Sequence, residues 1–389
     1  MTLTVLALSL VLTSVAAAQQ TRVYRDGNTW VEETTGSLPA VPNMKVVTDL
    51  GNVNVTGGAG QITYTIRKRA YTGSEQRARE EFAEFRVSAT RQADTALISG
   101  SGPGARRFSA EFNVQVPRAT QQARIMTHGG NVSAHGLDGK LWVSTGGGNV
   151  SADDVRGAVS IQSGGGNVSV GKVASDVTVR TGGGNVSIKA ASGRVVTESG
   201  GGNIMVGSSA AGVVVNTGGG MIDVQECRGE LKAQTGGGNL ALGNIMGRAS
   251  LQSGGGSIRL ANASGPVIAQ TGGGNIELFG LSQGAQVETG AGGIVAEFVG
   301  QNFTGSNLET PAGDITIYLS PNLKATVRAV IDMASGHSIR SEFADIKVRT
   351  EGGTYGPKTV YAEGSLNGGG PILNVRAVNG DIEIRRAKK

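Results

Sequence analysis

From Asn131 to Gly293 the chain repeats itself every 18 residues. The marker is a Thr/Ser-Gly-Gly-Gly-Asn segment that begins at Thr145, Ser163, Thr181, Ser199, Thr217, Thr235, Ser253 and Thr271 without a slip. Thr127 opens a related segment one period earlier and Thr289 one period later. A fixed period of this length specifies a solenoid, in which each repeat is one coil stacked on the last. With Asn as position 0, position 1 is Val150, Val168, Val186 and Ile204, and position 3 is Ala152, Val170, Ile188 and Val206. Polar residues such as Ser151, Ser169 and Ser187 stand between them. This is the alternation of a half-buried strand. A second alternating run falls at positions 10 and 12, as in Val159/Ile161, Val177/Val179 and Val213/Val215, with polar residues at position 13. Position 6 adds an inward residue at the bend. Nothing recurs at helical spacing. The expected fold is therefore an all-β parallel solenoid, a β-helix of 18-residue coils with two short strands per coil.

The marker residues are read as structural. Gly is expected to supply a positive φ at one sharp turn per coil, and to fit a corner crowded by the identical corner about 4.8 Å away. The Thr/Ser at position 14 has inward parity and is expected to satisfy corner backbone groups. Asn131, Asn149, Asn167, Asn185, Asn203, Asn239 and Asn275 are expected to form a corner ladder bonded locally and from coil to coil.

Residues 1–18 read as a signal peptide, with an apolar run from Leu3 to Val15 and Ala16-Ala17-Ala18 before Gln19, although the run lacks a leading Lys or Arg. It is short for a membrane span, and no later segment is apolar enough for one. The chain is thus expected to be exported, to the periplasm or the cell surface. One cysteine, Cys227, excludes an internal disulfide and a Cys-based zinc site. The formal net charge is +5, yet residues 131–293 hold ten basic and ten acidic residues. The surplus lies in residues 61–124, with eleven basic against six acidic, and in Arg385, Arg386, Lys388 and Lys389. These read as a solvated cap and tail. Nucleic acid is not an expected partner, because the basic segment lacks a recognisable binding motif.

The regular coils divide the chain into an N-terminal coil and cap at 19–126, the solenoid at 127–300, and irregular β-rich coils with a basic tail at 301–389. In the first part Lys45 to Val55 reads as an early coil, Ile62–Ile66, Ala96–Ile98 and Phe108–Val116 as strands, and Thr72–Arg86 as the one helix, with Thr72 and Glu75 as its capping box. In the last part strands are expected at 315–319, 325–331, 346–348, 359–361, 372–375 and 382–384.

Asn113-Val114-Gln115-Val116-Pro117, the repeated Gly-Asn-Val-Ser-Val strands, Asn367-Gly368-Gly369-Gly370 and Val378-Asn379-Gly380-Asp381-Ile382-Glu383-Ile384 together carry a resemblance. The pattern resembles the bacterial adhesin-type domain family of Gly-rich β-solenoids, over roughly residues 40–386. The resemblance implies a β-solenoid fold, an envelope or surface location and no established catalytic residues. The expected function is a non-catalytic binding or scaffold rod whose partner is an envelope component, a glycan or a protein.

Two alternatives are weighed against it. A β-helix enzyme that cleaves polysaccharides needs two carboxylates at a set separation on one face. No position supplies them in neighbouring coils, so no catalytic residue is assigned. No cofactor-binding or metal-ligating residue is assigned either. His135 and Asp153 share position 4 and read as a surface hydrogen bond, and the calcium-binding nonapeptide pattern fails because its Asp position holds Val or Ile. A self-associating filament needs uncapped ends, which the helix-bearing N-terminal segment opposes. What remains is a surface stripe. Position 11 points outward, and Trp142, Val196, Val214 and Ile268 are apolar there. These four residues are the candidate contact stripe, for a partner or for lateral self-association.

Overall fold

The computed structural model describes residues 19–102, 108–300, 302–352 and 358–387. The segment read as a signal peptide, the end of the Gly100–Gly104 turn, and Lys388 and Lys389 lie outside the described residues. Compactness divides the chain into two units that meet in sequence at Gly139 and Lys140.

The second unit contains the regular coils as expected: an all-β parallel solenoid. Each coil contributes one strand to each of two parallel sheets. The first sheet takes positions 1–6, as in Val168–Val173, Val186–Ala191 and Ile204–Ser209. The second takes positions 10–14, as in Val177–Thr181, Val195–Ser199 and Val213–Thr217. Register is kept residue for residue: Val168 pairs with Val186, Val186 with Ile204, and Ile204 with Ile222. The repeat length imposes this, since a slip of one residue would turn every apolar side chain outward. Positions 1, 3, 6, 10 and 12 fill the space between the sheets, and Val186, Val195, Val213 and Ile222 are all but inaccessible. Each fully buried aliphatic side chain contributes roughly 1.5–3 kcal/mol.

The corner differs from expectation in one respect. No glycine of the regular markers has a φ in the left-handed region, and neither does any Asn of the ladder. The requirement is proximity. A Cβ on Gly200 would lie 2.0 Å from the carbonyl oxygen of Gly182, and one on Gly202 would lie 2.2 Å from that of Gly184. The middle glycine of the same corner, Gly201, has nothing within 4 Å. Two glycines of three are thus demanded by stacking, and none by handedness of φ. The Thr/Ser hydroxyls bond the backbone of the corner. Ser199 Oγ donates to Gly184 O (2.9 Å) and accepts from Gly202 N–H (3.0 Å). Thr181 and Thr217 do the same one coil away on either side.

Beyond Gly293 the rhythm changes because the stacking order leaves the chain order. Ser306–Ala312 and Ile315–Leu319 continue the two sheets, and the next coil is the last in sequence, Ile372–Asn379 with Ile382–Arg386. Ala325–Ile331 and Ile339–Ser341 stack on that coil in turn. Antiparallel Thr359–Leu366 then covers Ala325–Ile331, and Lys347–Glu351 pairs in turn with Thr359–Leu366. The strands at 306–312 and 339–341 were not expected from the sequence.

The first unit uses a similar interleaving. Asn43–Thr48 with Asn52–Gly57 forms the expected early coil, and it lies between Thr95–Ser101 with Phe108–Val116 on one side and Gln122–Thr127 with Val132–Leu137 on the other. Antiparallel Ile62–Ala70, Thr29–Leu38 and Gln20–Asp26 extend from Phe108–Val116, and Arg86–Gln92 closes the other sheet. The helix is shorter than expected, Glu75–Glu84, and its N-cap is Ser74, whose Oγ accepts from Arg77 N–H (3.4 Å). Thr72 reaches only Ser74 N–H two residues on, so it forms a turn ahead of the helix and not a capping box. Ala78 and Phe82 face inward, and Phe82 and Phe85 pack on Phe108 with ring centroids 6.4 and 5.4 Å apart.

Candidate contact surface

The corner ladder is built from side chain to backbone. Asn167 N–H donates to Asn149 Oδ1 (2.9 Å), Asn185 N–H to Asn167 Oδ1 (2.9 Å), and Asn203 N–H to Asn185 Oδ1 (2.8 Å). Asn203, Asn239 and Asn275 likewise accept from Met221, Ser257 and Gly293. Asn131 N–H, in the first unit, donates to Asn52 Oδ1 (3.0 Å). From Asn149 to Asn275 each ladder oxygen therefore satisfies a backbone N–H of the next corner. Asp153 is engaged in the same manner, with Oδ1 accepting from Lys172 N–H (2.8 Å), and Asp154 takes a left-handed φ of 51°.

In the second unit the outward face of the second sheet carries two parallel rows, at positions 11 and 13. The four stripe residues all lie in the first row, half-buried between their neighbours. Register brings only two of them together: Val196 pairs with Val214. Trp142 is followed by Ser160, and Ile268 is flanked by Ser250 and Gln286. The stripe is thus one apolar pair, with Ile268 set between two polar neighbours and Trp142 beside Ser160. The second row is polar and bonded in two stretches. Arg180 Nε meets Glu198 (2.9 Å), and Gln234, Gln252, Gln270 and Glu288 form a chain of side-chain hydrogen bonds, the last two links 3.2 Å each. Beside that chain the bare glycines of the corner form the floor of a shallow groove of about 570 Å³.

Both rows run on into the irregular coils. Gln286 pairs with Asn307 and Glu288 with Glu309. Asn307 pairs with Asn374, which pairs with Arg328, which pairs with Glu363. The adjacent row runs through Glu309, Arg376, Val330, Tyr361 and Arg349. Here the face dips into a cleft of about 380 Å³. The sequence reading missed this cleft. Its strands follow one another in space in an order that the chain does not share, so no fixed offset aligns Asn307, Asn374 and Arg328.

No protein-family model matches the chain, and no curated protein matches it. Among solved structures the chain is similar to a candidate adhesin from Bacteroides fragilis NCTC 9343, at 14% identity over 74% of this chain and 96% of that one, with a TM-score of 0.28. It is similar to a candidate cell adhesion protein from Clostridium sporogenes ATCC 15579, at 10% identity over 96% and 100%, with a TM-score of 0.19. A candidate adhesin from Parabacteroides merdae ATCC 43184 matches at 12% identity over 74% and 92%, with a TM-score of 0.23. Superpositions this loose assign no residue and no activity.

Among the described residues no helix is long and apolar enough to cross a membrane, and no group of three or more His, Cys, Asp or Glu is placed to hold a metal ion.

Proposed function

We propose that the chain is an exported, non-catalytic envelope or surface protein that acts as an adhesin-like binding or scaffold element, through the outward face of the second sheet. The observation that carries this reading is the continuity of that face. From Trp142 to Glu288 the coils add no insertion between strands, and the outward side chains repeat at the strand spacing of about 4.8 Å. Such a surface is suited to an extended partner and offers little enclosure for chemistry on a small substrate. Lateral self-association is the second reading, favoured by the Val196–Val214 pair. An end-to-end filament is disfavoured, because antiparallel strands cover Phe108–Val116 and Thr95–Ser101 in the first unit and Ala325–Ile331 in the second.

The test is fractionation of the native host with a tag after Lys389, followed by cross-linking. Recovery with the envelope or at the surface is expected, and recovery in the cytosol refutes the reading. Lys at Val196, Val214 and Ile268 should leave the melting curve nearly unchanged, since surface positions usually move stability by less than about 0.5 kcal/mol. Loss of envelope attachment or of self-association in that variant assigns the stripe; association at wild-type strength removes it.

A further inference from the structure

We infer that the cleft on the outward face of the irregular C-terminal coils is a saccharide-binding site, with Asn307, Asn374, Arg328 and Arg376 as hydrogen-bonding groups and Tyr361 with Arg349 as its wall. The inference rests on the surface-protein reading above and names the class of ligand for it.

Three features of the cleft select the ligand. The first is size and openness. About 380 Å³ accommodates a sugar ring or two, and the cleft is open to the face, so a chain can run through it. The second is the state of the charges. Arg328 Nε is held by Glu363 (3.1 Å), and Arg376 is clamped by Asp332 (2.9 Å) and Glu309 (2.8 Å). Their charges are offset where they stand, yet each guanidinium carries five N–H donors in a fixed fork, more than these pairings use. Fixed donors beside fixed carboxylate acceptors suit adjacent hydroxyls, which both donate and accept. They suit a phosphate poorly, since the carboxylates would repel it. The amides add the same double capacity. Asn307 and Asn374 are neighbours by register and exposed, and neither side-chain amide is hydrogen-bonded to another described residue. The third is the wall. Val330 gives a half-buried apolar floor between Arg376 and Tyr361. The Arg349 guanidinium lies 5.8 Å from the centre of the Tyr361 ring and is 3.9 Å from its nearest carboxylate, on Glu351. It is the least engaged cation of the cleft, and the one available to a uronate carboxyl.

The cleft also lies at the end of the polar row that runs from Gln234 through Glu288 to Glu309. Longer glycans thus have further amide groups in line with the cleft, at a step set by the strand spacing.

The test uses the full chain and three probes, cellohexaose, maltohexaose and oligogalacturonate, by isothermal titration and saturation-transfer NMR. At least one probe is expected to bind. Asn374→Ala and Arg349→Ala, both at exposed positions, should each weaken it at least tenfold with an unchanged melting curve, and Gln252→Ala should weaken it less. A loss in Arg349→Ala confined to oligogalacturonate places the carboxyl on Arg349; equal losses for a neutral probe place hydroxyls there. Failure of all three probes to bind, or binding in both cleft variants at wild-type strength, overturns the proposal. Envelope recovery of the wild-type protein alongside such a failure refutes the saccharide site alone, whereas cytosolic recovery refutes the reading beneath it.

Discussion

Thr197 and Ser199 stand two residues apart on one strand, both facing the core, and their hydroxyls have opposite consequences. Thr197 occupies position 12, where the residues stacked on it are Val179 and Val215. Its side chain is fully buried and Oγ1 has no hydrogen-bond partner. A buried polar group left unmade costs about 1–3 kcal/mol. Val keeps the shape and puts a methyl group in place of the hydroxyl, so Thr197→Val should stabilise the coil by about 1 kcal/mol or more. Ser199 is the corner residue whose Oγ joins Gly184 O and Gly202 N–H. Ser199→Ala orphans both backbone groups and should cost roughly 2–4 kcal/mol. Stacked coils depend mainly on their neighbours, so the effect belongs to the local stack. Native-state hydrogen exchange is the suitable assay. Amides of Val186–Thr217 should exchange more slowly in Thr197→Val and faster in Ser199→Ala, with the amides of Ile276–Thr289 unmoved in both. Faster exchange in Thr197→Val, or none of the expected change in Ser199→Ala, refutes the assignment of hydroxyl roles.

Three further outcomes are expected. Gly200→Ala and Gly202→Ala should each lower stability by about 1–3 kcal/mol through collision with the preceding coil, while Gly201→Ala stays within about 0.5 kcal/mol of wild type in a urea melt. Replacing Asn167, Asn185 and Asn203 together with Ala should lower the melting temperature, at about 1 kcal/mol per lost bond, and an unchanged melt contradicts the ladder. In the first unit Glu33 is buried, and hydrogen bonds from Arg67, then Arg22, hold its carboxyl below the ordinary glutamate range against the opposing effect of burial. A depressed folded-state value contributes stability above the unfolded-state value and loses it as pH falls through the folded one. Acid unfolding followed by circular dichroism should therefore show a shallower dependence on pH in Glu33→Gln, and equal slopes remove Glu33 from the acid response.

The regular part of the fold was legible because one periodic pattern states both the strand pairing and its register. Once Val168, Val186 and Ile204 occupy the same position, their stacking follows. The corner was legible in its residues and not in its mechanism. Gly-Gly-Gly reads equally as a demand for positive φ or for close approach, and only the distance from Gly200 to the carbonyl of Gly182 separates the two. The ends were legible as strands but not as a stack. Nothing local in Ile372–Asn379 shows that it inserts between Ser306–Ala312 and Ala325–Ile331. The cleft depends on that insertion, which places Asn374 between Asn307 and Arg328. A stripe read from a fixed offset therefore ends where the offset does, short of the cleft.

Departures from the repeat also gather within the regular coils. Thr197 Oγ1 and Asn216 Oδ1 are both buried without partners, one coil apart. Met221 takes the place of a ladder Asn in the following corner and offers no amide oxygen to the coil above it. The outward apolar pair Val196 and Val214 belongs to the same two coils, and Met205 and Met221 are among the exposed large apolar residues. Thr197 and Asn216 each leave one polar atom unsatisfied and Met221 removes one corner bond, and these fall in neighbouring layers of a stack whose stability passes from layer to layer. A long solenoid with identical layers has no preferred place to open. The stretch from Val195 to Ile222 is the expected seam of this one, because two of its buried polar atoms have no bond to lose and one of its corners lacks the amide. Places where a sequence departs from its own local rules are where function or strain is expected to concentrate. The Val196–Val214 pair is the part of the seam that faces solvent, so the stripe test and the exchange measurement address the same two coils from outside and from within.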